Sequence, residues 1–442
     1  MEIKGITGYP SIDRPWLKYY DEEAVCKPLA EYGIYEYLWE NNKDYLEDVA
    51  LNYYDRKITF RELFLKIEET AKAFSAIGIS KGDIVIVAAV TIPETIYTFY
   101  ALNRLGAISN MVDPRTSVEG IREYIKEVDA KYIMTMDVVY PKIELAMEGM
   151  SIKNVVLASA GDSLPNFKKI FYKISNRKKM SVKKNCLDWT TFIQKGKNVI
   201  PIYSSYKKDN CCVIVHTGGT TGIPKGVMLS DVNLNEMVTS FTYNGLSFDR
   251  GNVLLSIMPP FIAYGVVNGI HVVLCRGMQI VMVPAFDPSK LDELLLKYHP
   301  SHMLATPTHY EFLLSSKKVK NSTDLSFIKM VGIGGDGLHG DNENRLNEFF
   351  AKHNCKRGVI KGYGMTEVSA AACANRPEIN VFGSVGLPFG KVIISAFEPG
   401  TDKELKIGEV GEICIYSPST MLGYYGRDDE TEKVLKKHSD GR

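Results

Sequence analysis

The stretch CCVIVHTGGTTGIPKGVMLS, residues 211–230, sets a continuous apolar run directly against a loop rich in glycine and threonine. CCVIV (211–215) has the pattern of a strand buried on both faces of a sheet. In the loop, Gly218, Gly219, Gly222 and Gly226 let successive backbone N–H groups turn inward around an anion. Thr217, Thr220 and Thr221 supply hydroxyl donors, and Lys225 supplies a positive charge. The ligand suited to such a loop is a polyphosphate. A Walker A loop is excluded, because that motif has Gly before the Lys and Ser or Thr after it. Here the neighbours are Pro224 and Gly226.

Working outward, the chain upstream alternates helix and strand signals. Residues 59–79 have apolar positions at helical spacing and end at Gly78. IVIVAAV (84–90) is a short β-branched strand, and Pro93 opens a helix that ends at Gly106. AISNMVDP, a helix over 117–128 and a strand over 132–136 continue the series. Strand–helix–strand units in series predict a doubly wound parallel sheet. A second such series is expected from about Asn210 to Pro377. The Gly-punctuated tail, GSVGLPFGKVIISAFE and GEVGEICIYSPSTMLGYYG, reads as β-rich. The expectation is an α/β protein with two doubly wound α/β subdomains, 1–205 and 206–377, and a smaller β-rich, distorted-barrel subdomain over 378–442.

Residues 160–200 break the rhythm and read as a linker. Between Phe167 and Asn185 lie eight Lys or Arg and no acid. Phe167, Ile170, Phe171 and Ile174 share one helical face. For 167–185 a solvated connection stands beside a weak membrane-surface contact or an anionic-ligand patch.

With 442 residues and 45% hydrophobic content, the chain is long enough for several buried cores. A net charge of +1 gives no argument for a nucleic-acid partner. The N-terminus lacks the apolar stretch of a signal peptide, and no window of about 18 apolar residues is found. The eight cysteines have no metal-ligand spacing. Reduced core thiols in a cytoplasmic protein are expected.

Three further segments carry chemistry. YGMTE (363–367) offers the flat face of Tyr363 to a base and the hard oxygen of Glu367 to Mg²⁺. VGIGGDGL (331–338) has the spacing of a dinucleotide fingerprint, but no acid follows about 20 residues later. MPPFIAYG (258–265) is an apolar candidate pocket wall, and His309 in ATPTHYEF is a candidate neighbour of that pocket.

Residues 218–226, GGTTGIPKG, resemble the signature loop of the adenylate-forming enzymes, Ser/Thr-Gly-Ser/Thr-Thr-Gly-x-Pro-Lys-Gly. That family comprises acyl- and aryl-CoA ligases, adenylation domains of peptide synthetases, and luciferases. YGMTE follows in family order about 140 residues later, and the similarity runs from about Ile58 to Arg442. The resemblance implies an ATP site formed by Thr217, Gly218, Gly219, Thr220, Thr221, Gly222 and Lys225. Gly335, Asp336 and Gly337, and then Gly362, Tyr363, Gly364, Met365 and Thr366, would complete it. Lys225, Thr366 and Glu367 would be catalytic, with Glu367 binding Mg²⁺. The acid's pocket would include Phe261, Ile262, Tyr264, Gly265, Gly334 and, as a candidate, His309.

Two positions depart from the family pattern. Gly218 stands where a Ser/Thr hydroxyl helps hold magnesium in some relatives, and Ile262 stands where a His gates the acyl pocket. The implied activity uses ATP, Mg²⁺ and coenzyme A to convert a carboxylic acid to an acyl-adenylate and then a thioester. A peptide-synthetase-like domain and a non-catalytic nucleotide-binding protein are the alternatives. Family members continue beyond this Asp440-Gly441 into a ribose-binding segment, a hinge and a small C-terminal domain with a catalytic Lys. The expectation is therefore a large N-terminal part that binds nucleotide but adenylates at least ~100-fold more slowly than a full-length protein.

Overall fold

The computed structural model describes residues 6–165, 168, 169, 172, 184–218 and 224–438. Its strands, in chain order, are β1 (Val49–Tyr53), β2 (Arg56–Thr59), β3 (Ile84–Ala88), β4 (Ile108–Met111), β5 (Tyr132–Met136), β6 (Asn154–Ala158) and β7 (Cys186–Asp188). Then come β8 (Cys211–His216), β9 (Gly226–Ser230), β10 (Val253–Ser256), β11 (Gln279–Met282), β12 (His302–Ala305), β13 (Met330–Ile333) and β14 (Val359–Tyr363). The last are β15 (Cys373–Ala374), β16 (Leu387–Pro388), β17 (Ile393–Phe397), β18 (Glu412–Tyr416) and β19 (Gly423–Tyr424).

Two large sheets result. One has the order β19-β9-β8-β4-β3-β5-β6-β7, parallel from β8 to β7. The other has the order β16-β15-β14-β13-β12-β10-β11-β1-β2, parallel from β14 to β1. β17 and β18 form a separate antiparallel pair, the β-rich element of the tail. Sheet membership corrects the division at 205/206. β8 and β9, which flank the phosphate loop, join the first sheet, and β1 and β2 join the second. Pairing is decided by long-range contacts such as Leu51 with Ile280, which no local pattern reveals.

The apolar run in β3 is explained by cover on both faces. Val85 and Val87 face a core that spans the two sheets through the helices Phe60–Ala76, Pro93–Leu105 and Asp231–Tyr243. Ile86 and Ala88 face a second cluster under helices Val118–Glu127 and Tyr140–Ala146. A third cluster covers the far face of the second sheet. Local signals set the helix ends: the Thr59 hydroxyl accepts from the Glu62 N–H, and Gly106 takes φ +72° after Leu105.

Of the basic segment, Phe167, Ile170, Phe171 and Ile174 lie outside the described residues. Lys168 and Lys169 are described, and both reach back to the body of the protein, Lys168 to Asp55 and Lys169 to the Asp162 carbonyl. Among the described residues no helix is long and apolar enough to cross a membrane.

Helix 93–105 buries a carboxyl. Glu94 is 1% exposed, its Oε1 accepts from the Ser163 hydroxyl at 2.6 Å, and its Oε2 has no partner among the described residues. Burial pushes its pKa up to about 7, against the help of the Ser163 hydrogen bond. The folded state thus holds a proton that the unfolded chain releases near 4.5, so this group's contribution to stability declines as pH rises from about 4.5 through 7. Glu94→Gln removes that slope. Urea unfolding of the wild type between pH 5 and 8 is expected to show about 2–3 kcal/mol more decline than the variant.

Candidate functional site

β8 and β9 are the two arms of a hairpin whose tip is the phosphate loop. Beyond the His216–Gly226 pair the Thr217 N–H donates to the Lys225 carbonyl at 3.0 Å, and the Lys225 N–H donates to the Thr217 hydroxyl at 3.1 Å. These bonds clamp the base of the loop and fix where Lys225 leaves the sheet. Gly219, Thr220, Thr221 and Gly222 lie outside the described residues.

The Lys225 ammonium lies 4.3 Å over the ring of Tyr424 and 3.6 Å from a Glu430 carboxylate oxygen. Tyr424 sits on β19, the strand paired to β9, and its hydroxyl donates to Glu367 Oε1 at 2.7 Å. The Met421 N–H holds the Glu367 carbonyl at 2.8 Å. Lys225 and Glu367, from motifs far apart in sequence, are therefore joined through one aromatic ring. Burial, together with that bond to the carboxylate, raises the Tyr424 pKa, so the phenol stays protonated as a donor.

Beside this cluster opens a cavity of about 350 Å³. Tyr363 ends β14, and Gly362 through Thr366 form one wall. Gly364 has no room for a side chain, since a Cβ there would stand 2.2 Å from the Ala370 carbonyl oxygen. The turn after it holds Ser369 and Ala370 at positive φ, of 57° and 88°, and brings Ala370 and Ala371 to the wall. Gly334 and Gly335, after β13, continue the wall beside Gly362 with Tyr264 against Gly334, and Gly335 takes φ +81°. Tyr264 begins a π-helix, Tyr264–Val272, an uncommon element that recurs at functional sites. The lining also includes the buried apolar side chains Phe241, Leu246, Met258 and Phe389.

Ten expected site residues line this cavity: Gly218, Ile262, Tyr264, Gly334, Gly335, Gly362, Tyr363, Gly364, Met365 and Thr366. Thr217 and Glu367 adjoin the lining residues Gly218 and Thr366 in sequence, and Lys225 is bonded to Thr217. Others lie elsewhere. Phe261 is buried with Arg115 5.5 Å from its ring, and Gly265 packs on the Pro259 carbonyl. Asp336 and Gly337 form an exposed turn in which the Asp336 carboxylate accepts from the Gly337 N–H.

His309 is a helix cap. Its Nδ1 accepts from the Thr306 N–H at 3.3 Å, its ring packs edge-on to Phe286, and it does not line the cavity. The pattern Thr306-Pro-Thr-His309 is that of a capping box, a signal available in the sequence. Residues missed by sequence reasoning are His216, Asn268, Thr306 and Lys361, all on the wall. His216 is held neutral, its pKa lowered to about 4 by burial, and its Nε2 meets Asn110 Oδ1 at 2.7 Å.

Among the described residues no group of three or more His, Cys, Asp or Glu side chains is placed to hold a metal ion. Glu367 nonetheless suits Mg²⁺, because that ion is commonly held by one or two carboxylates together with water and substrate phosphates. Tyr424 engages only Oε1, leaving Oε2 for such a role.

Residues 38–425 match the family of AMP-binding enzymes. A long-chain-fatty-acid–CoA ligase of Bacillus subtilis is 26% identical over 96% of this chain and 76% of its own length. A probable 4-coumarate–CoA ligase of Dictyostelium discoideum is 27% identical over 84% of this chain and 66% of its own. The fold is shared with a long-chain-fatty-acid–CoA ligase from Archaeoglobus fulgidus, with TM-score 0.80 at 21% identity over 94% of this chain and 80% of that one. It is shared also with an anthranilate CoA ligase in complex with anthranoyl-AMP, with TM-score 0.80 at 18% identity over 95% and 78%. Because the match runs through the loop at 217–226, the turn at 363–367 and the strand that joins them, this chain belongs to the AMP-binding, adenylate-forming enzyme family.

Proposed function

We propose that the protein activates a carboxylic acid with ATP, releasing pyrophosphate, and passes the acyl group from the adenylate to coenzyme A. The observation that carries this reading is the meeting of Lys225 and Glu367 across Tyr424, next to Thr366 in the wall of a cavity that also has apolar lining. Polyphosphate belongs beside Lys225 and Glu367, adenine against Tyr363 and Gly334–Gly335, and the acyl group against the apolar lining. The carboxylate oxygen attacks the α-phosphorus, and the P–O bond to pyrophosphate breaks. Lys225 and the Thr217 hydroxyl stabilise charge on the phosphates, and Thr366 approaches the α-phosphate. Bound Mg²⁺ would neutralise phosphate charge, with Glu367 Oε2 as its protein ligand.

The names of the relatives, fatty-acid and coumarate CoA ligases, support coenzyme A as acceptor. Among the described residues no Asp or Glu lines the cavity, which disfavours an amino-acid substrate whose ammonium needs a counter-charge. ATP–pyrophosphate exchange across a panel of carboxylic acids is the test. Acid-dependent exchange is expected, and ATP binding without exchange for any acid would overturn the reading in favour of a non-catalytic nucleotide-binding protein.

Tyr424 orients the metal carboxylate in this scheme. Tyr424→Phe is expected to raise the Mg²⁺ concentration for half-maximal exchange by ~10-fold, the usual scale for losing a partner of a ligand. The KM for the acid should stay unchanged. An unaltered Mg²⁺ requirement would remove Tyr424 from the site.

A further inference from the structure

β19 ends at Tyr424, and the short helix Asp428–Val434 follows it closely. Side chains pin this helix beside the base of the phosphate loop. The Thr431 hydroxyl accepts from the Tyr424 N–H at 2.9 Å and donates to the Arg427 carbonyl at 2.9 Å. The Arg427 guanidinium donates to Glu127, on helix 118–127, at 3.2 Å. The first turn carries three acids, Asp428, Asp429 and Glu430. Of these, Glu430 reaches the loop. Its Oε2 stands 3.6 Å from the Lys225 ammonium, and its Oε1 stands 2.7 Å from Lys433.

At 3.6 Å the contact with Lys225 is an ion pair and not a hydrogen bond, so the ammonium keeps its N–H donors for another anion. Among the described residues Glu430 is the one carboxylate paired with Lys225. The other contact of the ammonium is the face of Tyr424, which carries no net charge. A phosphate drawn to Lys225 therefore meets a carboxylate already there. It must share the ammonium with that carboxylate and bear the repulsion between like charges. Both side chains of the pair are partly exposed, so water weakens the competition without abolishing it.

We infer that Glu430 competes with phosphate for Lys225 and so lowers the affinity of the site for ATP and for pyrophosphate. The inference rests on the reading in which Lys225 meets phosphate. It adds a residue that limits how tightly the substrate is held and eases the departure of the product. Phosphate binding shared equally by ground state and transition state lowers KM without raising kcat, so loosening it leaves the chemical step intact.

The test is calorimetry with ATP, inorganic pyrophosphate and adenosine at one fixed ionic strength. It compares the wild type with Glu430→Gln, Asp429→Asn, Lys225→Ala and the double variant Lys225→Ala/Glu430→Gln. Glu430→Gln should bind ATP and pyrophosphate ~3–10-fold more tightly, and adenosine as the wild type does. Asp429→Asn makes the same change of charge one residue away and should move these affinities by less than ~2-fold. In the Lys225→Ala background the gain from Glu430→Gln should fall below ~2-fold, because the cycle isolates the coupling between the two residues. Unchanged or weaker ATP binding by Glu430→Gln would overturn the inference. So would an equal gain from Asp429→Asn, a gain shared by adenosine, or a full gain that persists without Lys225. If Lys225→Ala itself leaves ATP affinity unchanged, the assignment of Lys225 to phosphate falls, and this inference with it. If Lys225→Ala weakens ATP while Glu430→Gln changes nothing, that assignment stands and only the competition is refuted.

Discussion

Lys225→Ala is expected to weaken ATP binding by about 10–100-fold in calorimetry, equivalent to about 1.5–3 kcal/mol for a lost charge-assisted bond. The effect should be confined to the ligand. The Lys225 side chain is 27% exposed, and that of its carboxylate partner Glu430 is 41% exposed. A pair that open contributes ~0–1 kcal/mol to the fold. The loop base is clamped by backbone atoms of residue 225 and by Thr217, neither of which the substitution removes. Thermal unfolding should therefore shift by no more than a few degrees. Unchanged ATP affinity would show that Lys225 does not meet phosphate.

Glu367→Gln is expected to lower the rate of acid-dependent pyrophosphate exchange by ~10²–10³, the scale seen when one preorganised electrostatic group is lost. The replacement is close to isosteric. A Gln carbonyl oxygen still accepts from the Tyr424 hydroxyl, and the Met421 N–H still binds the main-chain carbonyl. The local frame persists while the negative charge is gone. ATP binding without Mg²⁺ should be unaffected, whereas the Mg²⁺-dependent gain in binding should disappear. A variant that keeps the wild-type exchange rate and Mg²⁺ dependence would place the metal elsewhere.

Much of the fold was legible because burial writes itself into the sequence. β3 shows as an uninterrupted β-branched run because both its faces are covered. Helix 93–105 shows through Pro93 and Gly106, which pay no steric penalty at its two ends. The partner of each strand was not legible. β8 reads the same whether it pairs β4, as it does, or opens the second sheet. In the site, Lys225, Tyr363 and Glu367 stood out through their motifs. Tyr424 did not, since its ring meets both Lys225 and Glu367 only after β19 pairs with β9. Asn268 had a faint signal as a lone amide within YGVVNGIHVVL, a stretch whose other polar side chains are Tyr264 and His271.

The exchange of strands between the sheets bears on how the chain is made. β1 pairs with β11, and Leu51 waits for Ile280. At a synthesis rate of roughly 5–20 residues per second, those two positions leave the ribosome about 10–50 s apart. Throughout that interval the β1–β2 hairpin has no sheet to join, and its apolar face, with Leu51 and Ile58, stays uncovered. A nascent chain arrested before residue 280 should consequently be more dependent on chaperones, and more readily cut by protease at its first hairpin, than one arrested beyond β11.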